Sequence, residues 1–469
     1  TFIFFGLEAA ILAGTLHALL GMPLWLAYLG CSVIIIPLVT WGMTFIARFQ
    51  IATLPVWLAL NLIPLVALLL THPALVPGWA HFNGLTPALG EVNAIAIGSA
   101  ASVIIVLVCQ SAEQIDFLRF LPEQTPQNRR AWWVALVLGG PGWVVLDAFK
   151  IMAGSLLAWA VLQGGFSAAQ AAQPGLMYWL AWSTCVPPQL AAVLTVALVA
   201  LSQIKINITN AYAGSLAWSN FFSRLTHTHP GRVFYVLFNI AIALLLMEAG
   251  LVNTIQTGIT LYAVLACAWI GAILGDVALC KPLKLSPARI EFKRAFLPDL
   301  NLVGLGAWAL AATMGFVALS GVAGPLAAAY APFITLALAC LSAPLLASIT
   351  GGRTYLARQP PTDWNTRAHK TCVICEHRFE AEDMAPCPAY GGTICSLCCS
   401  LDSRCRDRCK PVSTRMAAQM ATPPHCLPPR PRQSLTPPRA RLPFPLCGIV
   451  VALALLARPT GLPFARPPP

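Results

Sequence analysis

The chain has 469 residues, of which 58% are hydrophobic and only 10% charged, with a net charge of +12. A soluble domain carries about 25% charged residues, so the composition excludes an ordinary soluble enzyme. The excess of positive charge follows from basic loops and a basic tail, which suit anionic lipid headgroups and require no nucleic-acid partner.

Ten apolar segments lie between Thr1 and Ile349, long enough to predict an all-α polytopic membrane protein. The first five are Phe2–Leu20, Pro23–Phe45, Ile51–Leu70, Ala94–Cys109 and Trp132–Leu162. The second five are Gln189–Ala213, Val233–Gly250, Ile255–Leu279, Leu302–Ser320 and Leu326–Ile349. The chain opens on Thr1 already inside an apolar run, which predicts that the natural start lies upstream. The fifth segment contains Gly139-Gly140-Pro141-Gly142, and Pro187-Pro188 precede the sixth. Breaks at membrane depth are tolerated where they line a cavity, and transporters use them at their binding sites.

Polar residues inside these runs are the candidate site. Glu8 stands in the first helix, with Phe4 one turn away on the same face. Asp147 and Lys150 are three apart in the fifth and can neutralise each other. The sixth holds Ser202-Gln203-Ile204-Lys205-Ile206-Asn207-Ile208-Thr209-Asn210. Asn207 and Asn210 share a face and offer donors and acceptors to an amide or heterocycle. Lys205 has no acid three or four residues away and requires a partner from another helix, with Glu8 or Asp147 as the candidates. Glu8, Lys205 and Asp147 are thus the candidates for ion or proton coupling. His227-Thr228-His229 reads as a solvated loop.

Every Lys and Arg between the segments falls in alternate loops: Arg48; Arg119, Arg129 and Arg130; Arg224 and Arg232; Lys281, Lys284, Arg289, Lys293 and Arg294. The intervening loops hold none. Basic loops stay in the cytoplasm, so both ends of the block are predicted to be cytoplasmic. Three regions follow: a membrane block over 1–352, a Cys-rich module over 353–410, and a Pro/Arg-rich tail over 411–469 that is expected to be disordered. The tail's apolar run, Leu446–Ala457, is too short to span a bilayer. Its abrupt change of composition also resembles a shifted reading frame.

The module holds eight of the 16 cysteines. Cys372-x2-Cys375 and Cys395-x2-Cys398 are two knuckles that together complete a tetrahedral zinc site. Reducing cytoplasm disfavours a disulfide framework. Cys387, Cys399, Cys405 and Cys409 remain to hold a second ion, to bind an iron–sulfur cluster, or to act as redox-sensing thiols.

Several of these motifs carry a resemblance. Phe4, Gly6 and Glu8 look like the opening of the third membrane helix of the nucleobase–cation symporter-1 (purine–cytosine permease) family. Gln114-Ile115-Asp116-Phe117-Leu118-Arg119-Phe120 is similar to that family's turn after helix six, and Asn207-Ile208-Thr209-Asn210-Ala211-Tyr212 to its Asn-bearing helix eight. Bacterial sensor proteins with a permease-like region, a Cys-rich linker and a histidine kinase are a closer match. Their linker resembles Cys387-Pro388-Ala389-Tyr390 and the run from Ile394 through Cys405 to Cys409-Lys410.

The resemblance implies an inverted-repeat transporter fold lacking its first two helices. It also implies a small solute held by Phe4, Glu8, Asn207 and Asn210 in a bacterial inner membrane. The expectation is a permease-like sensor module that signals to a histidine kinase beyond this chain, with no catalysis of its own. The alternative is a symporter of nucleobases or related heterocycles.

Overall fold

In the computed structural model, residues 2–82, 84, 94–110, 118, 121–250, 258–288, 290–352, 354–361, 363–364, 368–401 and 405–421 are described. The motif at Gln114–Phe120, apart from Leu118, and the tail from 422 onward, including Leu446–Ala457, lie outside them. Among the described residues, seven helices are long and apolar enough to cross a membrane, and the shorter apolar helices Leu24–Thr40 and Ala94–Leu107 cover two more of the ten expected segments.

The chain divides into two compact units. The first comprises residues 1–90, 110–221 and 230–257, and the second 91–109, 222–229 and 258–469.

The first unit opens with α1 (Phe2–Leu20). The segment read as Pro23–Phe45 is instead two short helices, α2 (Leu24–Val33) and α3 (Ile35–Thr40). Gly42, at φ 84°, then turns the chain into α4 (Met43–Thr71). The positive φ is the reason for the break, because glycine adopts it at little cost. As a result Arg48 lies inside a helix and not in a loop.

The fifth segment divides as its glycines predict, into α5 (Arg129–Gly139) and α6 (Trp143–Gln163). A shorter helix, α7 (Pro174–Ser183), precedes the long α8 (Pro188–Thr226), which runs 13 residues past the expected end at Ala213. The unit closes with α9 (Arg232–Glu248), 17 residues long. Many large apolar side chains on these helices point outward, Ile51, Leu70, Val144 and Val145 among them. Outward apolar surface on this scale suits lipid and not water.

In the second unit, α10 (Ala94–Ile104) ends in a 3-10 turn. Next come α11 (Ile259–Leu274), α12 (Leu302–Leu319) and α13 (Ala331–Thr350). Helix α11 finishes in a π-helical turn, Gly275–Cys280. A Cβ on Gly271 would lie 2.5 Å from the Leu336 carbonyl, and one on Gly275 2.6 Å from the Cys340 carbonyl. These two glycines, four residues apart, let α11 and α13 pack backbone to backbone, and Ala339, Ala343 and Ala347 line the seam.

The Cys-rich module belongs to this unit. Strands β1 (His369–Thr371) and β2 (Arg378–Glu380) form one antiparallel pair, and β3 (Met384–Cys387) and β4 (Gly392–Cys395) a second. Helix α14 (Ser396–Leu401) follows. The core of the module is Cys372, Met384, Cys387, Ile394 and Cys395. Ala295 and Phe296, from the loop before α12, pack on Ala385. Arg358 stitches the two together, donating to the carbonyls of Ala295 (3.0 Å) and Pro386 (2.6 Å).

Past the expected boundary at Lys410, the structure describes residues 411–421, which carry α15 (Met416–Ala421). The Gln419 amide bonds both backbone polar groups of Leu300, at 2.9 and 3.0 Å, and the Met416 amide donates to Asp299 at 2.9 Å. Composition marked this stretch as tail, but paired hydrogen bonds hold it.

Candidate functional site

The membrane-depth candidates fall in the first unit. On α1, Phe4 is 9% exposed and Glu8 half-buried. Glu8 meets the Gln203 side chain of α8. The other polar atom of that amide, Gln203 Oε1, is buried without a hydrogen-bond partner among the described residues. Phe2 stacks on Trp218 at 6.0 Å, which also ties α1 to α8.

One turn beyond Gln203, Asn207 and Asn210 are each 2% exposed, and Asn210 Nδ2 donates to Asn207 Oδ1 at 3.3 Å. Two amides facing each other inside a helical bundle leave further donors and acceptors for a third group. Glu8 with Gln203, and Asn207 with Asn210, are thus two polar contacts along α8, one of them shared with α1. Gln203 was part of the quoted polar run, but its role depends on Glu8, 195 positions earlier in the chain.

Lys205 takes neither expected acidic partner. Its Nζ donates to the Gln50 carbonyl and to Thr53 Oγ1, both at 2.9 Å, and the Gln50 amide returns a bond to the Lys205 carbonyl at 2.9 Å. Trp57 Nε1 donates to Ser202 Oγ at 2.8 Å on the same α4–α8 seam. The ammonium therefore sits among neutral oxygens, and no sequence rule identifies a backbone carbonyl as a partner. Asp147 is bound by Lys150 at 2.8 Å on an exposed face, as their three-residue spacing predicts.

In the second unit the two knuckles converge. The sulfurs of Cys372, Cys375, Cys395 and Cys398 all lie within 4.8 Å of one another, and Cys375 and Cys395 are 3.9 Å apart. Four thiolates at 2.3 Å from one zinc would be separated by about 3.8 Å. The set therefore fits a tetrahedral ion with little adjustment.

Backbone amides prepare the sulfurs. Cys395 N points at Cys372 Sγ and Cys398 N at Cys395 Sγ, both at 3.4 Å. Burial alone would raise the Cys372 thiol, but amides of Cys375, Cys395 and Ile374 outweigh it and bring the thiol to about 6. Burial and the crowding of neighbouring sulfurs push Cys398 the other way. A divalent ion reverses that repulsion. This cluster can hold a metal ion.

A second feature had no sequence signature. Arg294 is 2% exposed and grips Asp407, 4% exposed, with Nε at 3.0 Å and Nη2 at 2.7 Å. Nη1 of the same guanidinium donates to the Ser223 carbonyl at 3.0 Å and Nη2 to the Arg224 carbonyl at 3.4 Å. Both carbonyls belong to the last turn of α8, where unpaired carbonyls favour a cation. Lys410 completes the cluster, 2.9 Å from Asp299 and 3.6 Å from Asp407.

Arg294 Nη2 also lies 3.0 Å from His227 Nδ1, so that nitrogen must be the unprotonated one. Burial, and then the charge of Arg294, lower the His227 pKa accordingly. From sequence, Arg294 counted only as a loop cation and Asp407 only as a residue between cysteines.

No protein-family model, curated protein or solved structure matches the chain.

Proposed function

We propose that this chain is the membrane sensor module of a signalling protein. It binds a small solute among the amides of α8 and passes its state to the cytoplasmic Cys-rich module. The observation that carries this reading is the double grip of Arg294. One guanidinium holds the end of α8, the helix that carries Gln203, Asn207 and Asn210, and also Asp407, two residues after Cys405. A displacement of that helix end would have to break or carry these bonds. Coupling of this kind needs two states to which the solute binds unequally.

Zinc at Cys372, Cys375, Cys395 and Cys398 makes the module rigid enough to pass on a displacement. The permease-like motifs support a nucleobase or related heterocycle as solute and a bacterial inner membrane as setting. The charged loops support a cytoplasmic module that addresses a histidine kinase in a longer protein. In this reading the chain itself catalyses nothing.

A symporter is the second reading. The Glu8–Gln203 contact at membrane depth favours it, because a carboxyl there can carry a coupling proton. Proteoliposomes holding the purified chain and supplied with radiolabelled cytosine, uracil, adenine or hypoxanthine separate the two. Stabilisation by one of the bases without accumulation supports the sensor; accumulation driven by an ion gradient supports the symporter.

A further inference from the structure

We propose that a cavity walled by Arg224, Asp276, Ser286 and Thr354 is a binding site for a small hydroxycarboxylate, a monoanion that also carries hydroxyl donors. It lies wholly within the second unit and does not involve the amides of α8.

The cavity has a volume of about 220 Å³, below the roughly 300–1,000 Å³ of pockets for drug-sized ligands, so it suits a small metabolite. Its lining grades from buried to open. Ser286 and Thr354 are 3% and 4% exposed, whereas Arg224, at the end of α8, and Asn301, before α12, are exposed. Asp276 and Lys281 are partly buried and stand at the π-helical end of α11.

Three polar atoms of this lining are buried without a hydrogen-bond partner among the described residues: Asp276 Oδ1, Ser286 Oγ and Thr354 Oγ1. Unpaired buried polar atoms are costly and rare. Here they come from three separate segments, the end of α11, the loop that follows it and the chain after α13. Their meeting around one cavity points to a ligand that completes the bonding. A carboxylate oxygen only accepts, and a hydroxyl both donates and accepts. Hydroxyl groups on the ligand therefore satisfy all three.

Charge on the wall supplies the remaining group. Asp276 lies 3.5 Å from Lys281, Glu291 3.5 Å from Lys293, and Asp299 2.9 Å from Lys410. Each carboxylate of the lining thus has its own lysine. The carboxylates that act on Arg224, Asp299 and Asp407, are already bonded to Lys410 and Arg294. One positive charge is therefore in excess among the described residues, and a single ligand carboxylate balances it on the guanidinium fork. A zwitterion would leave the excess in place, and an uncharged polyol would leave the fork unused. The Arg224 carbonyl also takes a bond from Arg294, and Asp299 holds both Lys410 and the Met416 amide. A bound hydroxycarboxylate thus braces the join between the end of α8 and the Cys-rich module.

The test is calorimetric titration of the full chain in detergent with D-glycerate, set against acetate, glycerol and L-serine. Glycerate is expected to bind at millimolar concentration or below, and more tightly than the other three. Arg224→Gln should weaken it by about tenfold, and Ser286→Ala and Thr354→Val by about fivefold each. Without glycerate the last two variants should melt no lower than the native chain, because each removes an unpaired buried hydroxyl. Loss of affinity at undiminished stability separates a ligand contact from a structural one. No heat with glycerate at millimolar concentration, or an affinity that none of the three substitutions changes, overturns the site. Acetate binding as tightly as glycerate removes the hydroxyl contacts, and glycerol or serine binding more tightly removes the charge argument; either overturns the assignment. A marked fall in melting temperature in both Ser286→Ala and Thr354→Val overturns it as well. None of these outcomes bears on the bases proposed for α8.

Discussion

Replacing Arg294 by methionine probes the join between α8 and the Cys-rich module. The variant keeps an unbranched apolar stem and removes the guanidinium. Asp407 then remains 4% exposed, with Lys410 Nζ 3.6 Å away. The carbonyls of Ser223 and Arg224 lose their donor. Breaking one side of a buried ion pair costs about 3–5 kcal/mol. The residual charge of Lys410 sets the expectation at the lower end, about 3 kcal/mol, or roughly a hundredfold rise in the open population.

Hydrogen–deuterium exchange of residues 405–416 reads this directly, because Lys410 N bonds Asp407 O at 3.0 Å and Thr414 N bonds Pro411 O at 3.1 Å. Their exchange should accelerate by about two orders of magnitude while the α11–α13 seam is unchanged. Arg294→Lys keeps the charge but loses the planar fork, and should fall between the two. A change of less than about threefold in Arg294→Met would refute the argument that this pair holds the module in place.

Other outcomes follow from the same geometry. Because the folded-state pKa of His227 lies below its ordinary value, the unfolded chain takes up a proton more readily. Stability from this group is complete above about pH 6.5 and is lost as pH falls toward the lowered value. Protection at Arg294–Phe296, taken relative to the intrinsic exchange rate at each pH, should therefore fall on acidification, and less so in His227→Gln. Glu8→Gln and Lys205→Met should lower the melting temperature additively, since their partners are Gln203 on one side and Gln50 and Thr53 on the other; recovery in the double variant would revive a direct pair. In intact cells a membrane-impermeant thiol reagent should label His81→Cys and spare Cys395, and the reverse pattern would invert the proposed orientation.

Much of the helical layout was legible because apolar runs of this length have few other uses. The break at Gly139–Gly142 was equally plain, since glycine and proline mark it. The break near Gly42 was not, because a positive φ leaves no trace in hydropathy when apolar residues continue on both sides. Lys205 shows a different limit: sequence spacing can identify acidic neighbours but not the Gln50 carbonyl that accepts its hydrogen bond.

The first thiol cluster could be read off because two knuckles fix four ligands by spacing alone. The Arg294–Asp407 pair could not, as its members are 113 residues apart and each resembles an ordinary loop charge. The bonds of Gln419 to Leu300 and of Met416 to Asp299 likewise left no sign in the Pro- and Arg-rich composition around them.

The central claim is that solute occupancy among the α8 amides changes the Cys-rich module. The most direct measurement is exchange at residues 223–229 and 405–416 of the zinc-loaded chain in proteoliposomes, with and without the base that stabilises it in the cytosine, uracil, adenine and hypoxanthine series. The account predicts a base-dependent change at both segments, abolished by Asn207→Leu, with no accumulation of the base inside the vesicles. Accumulation of the base with both segments unchanged would contradict it.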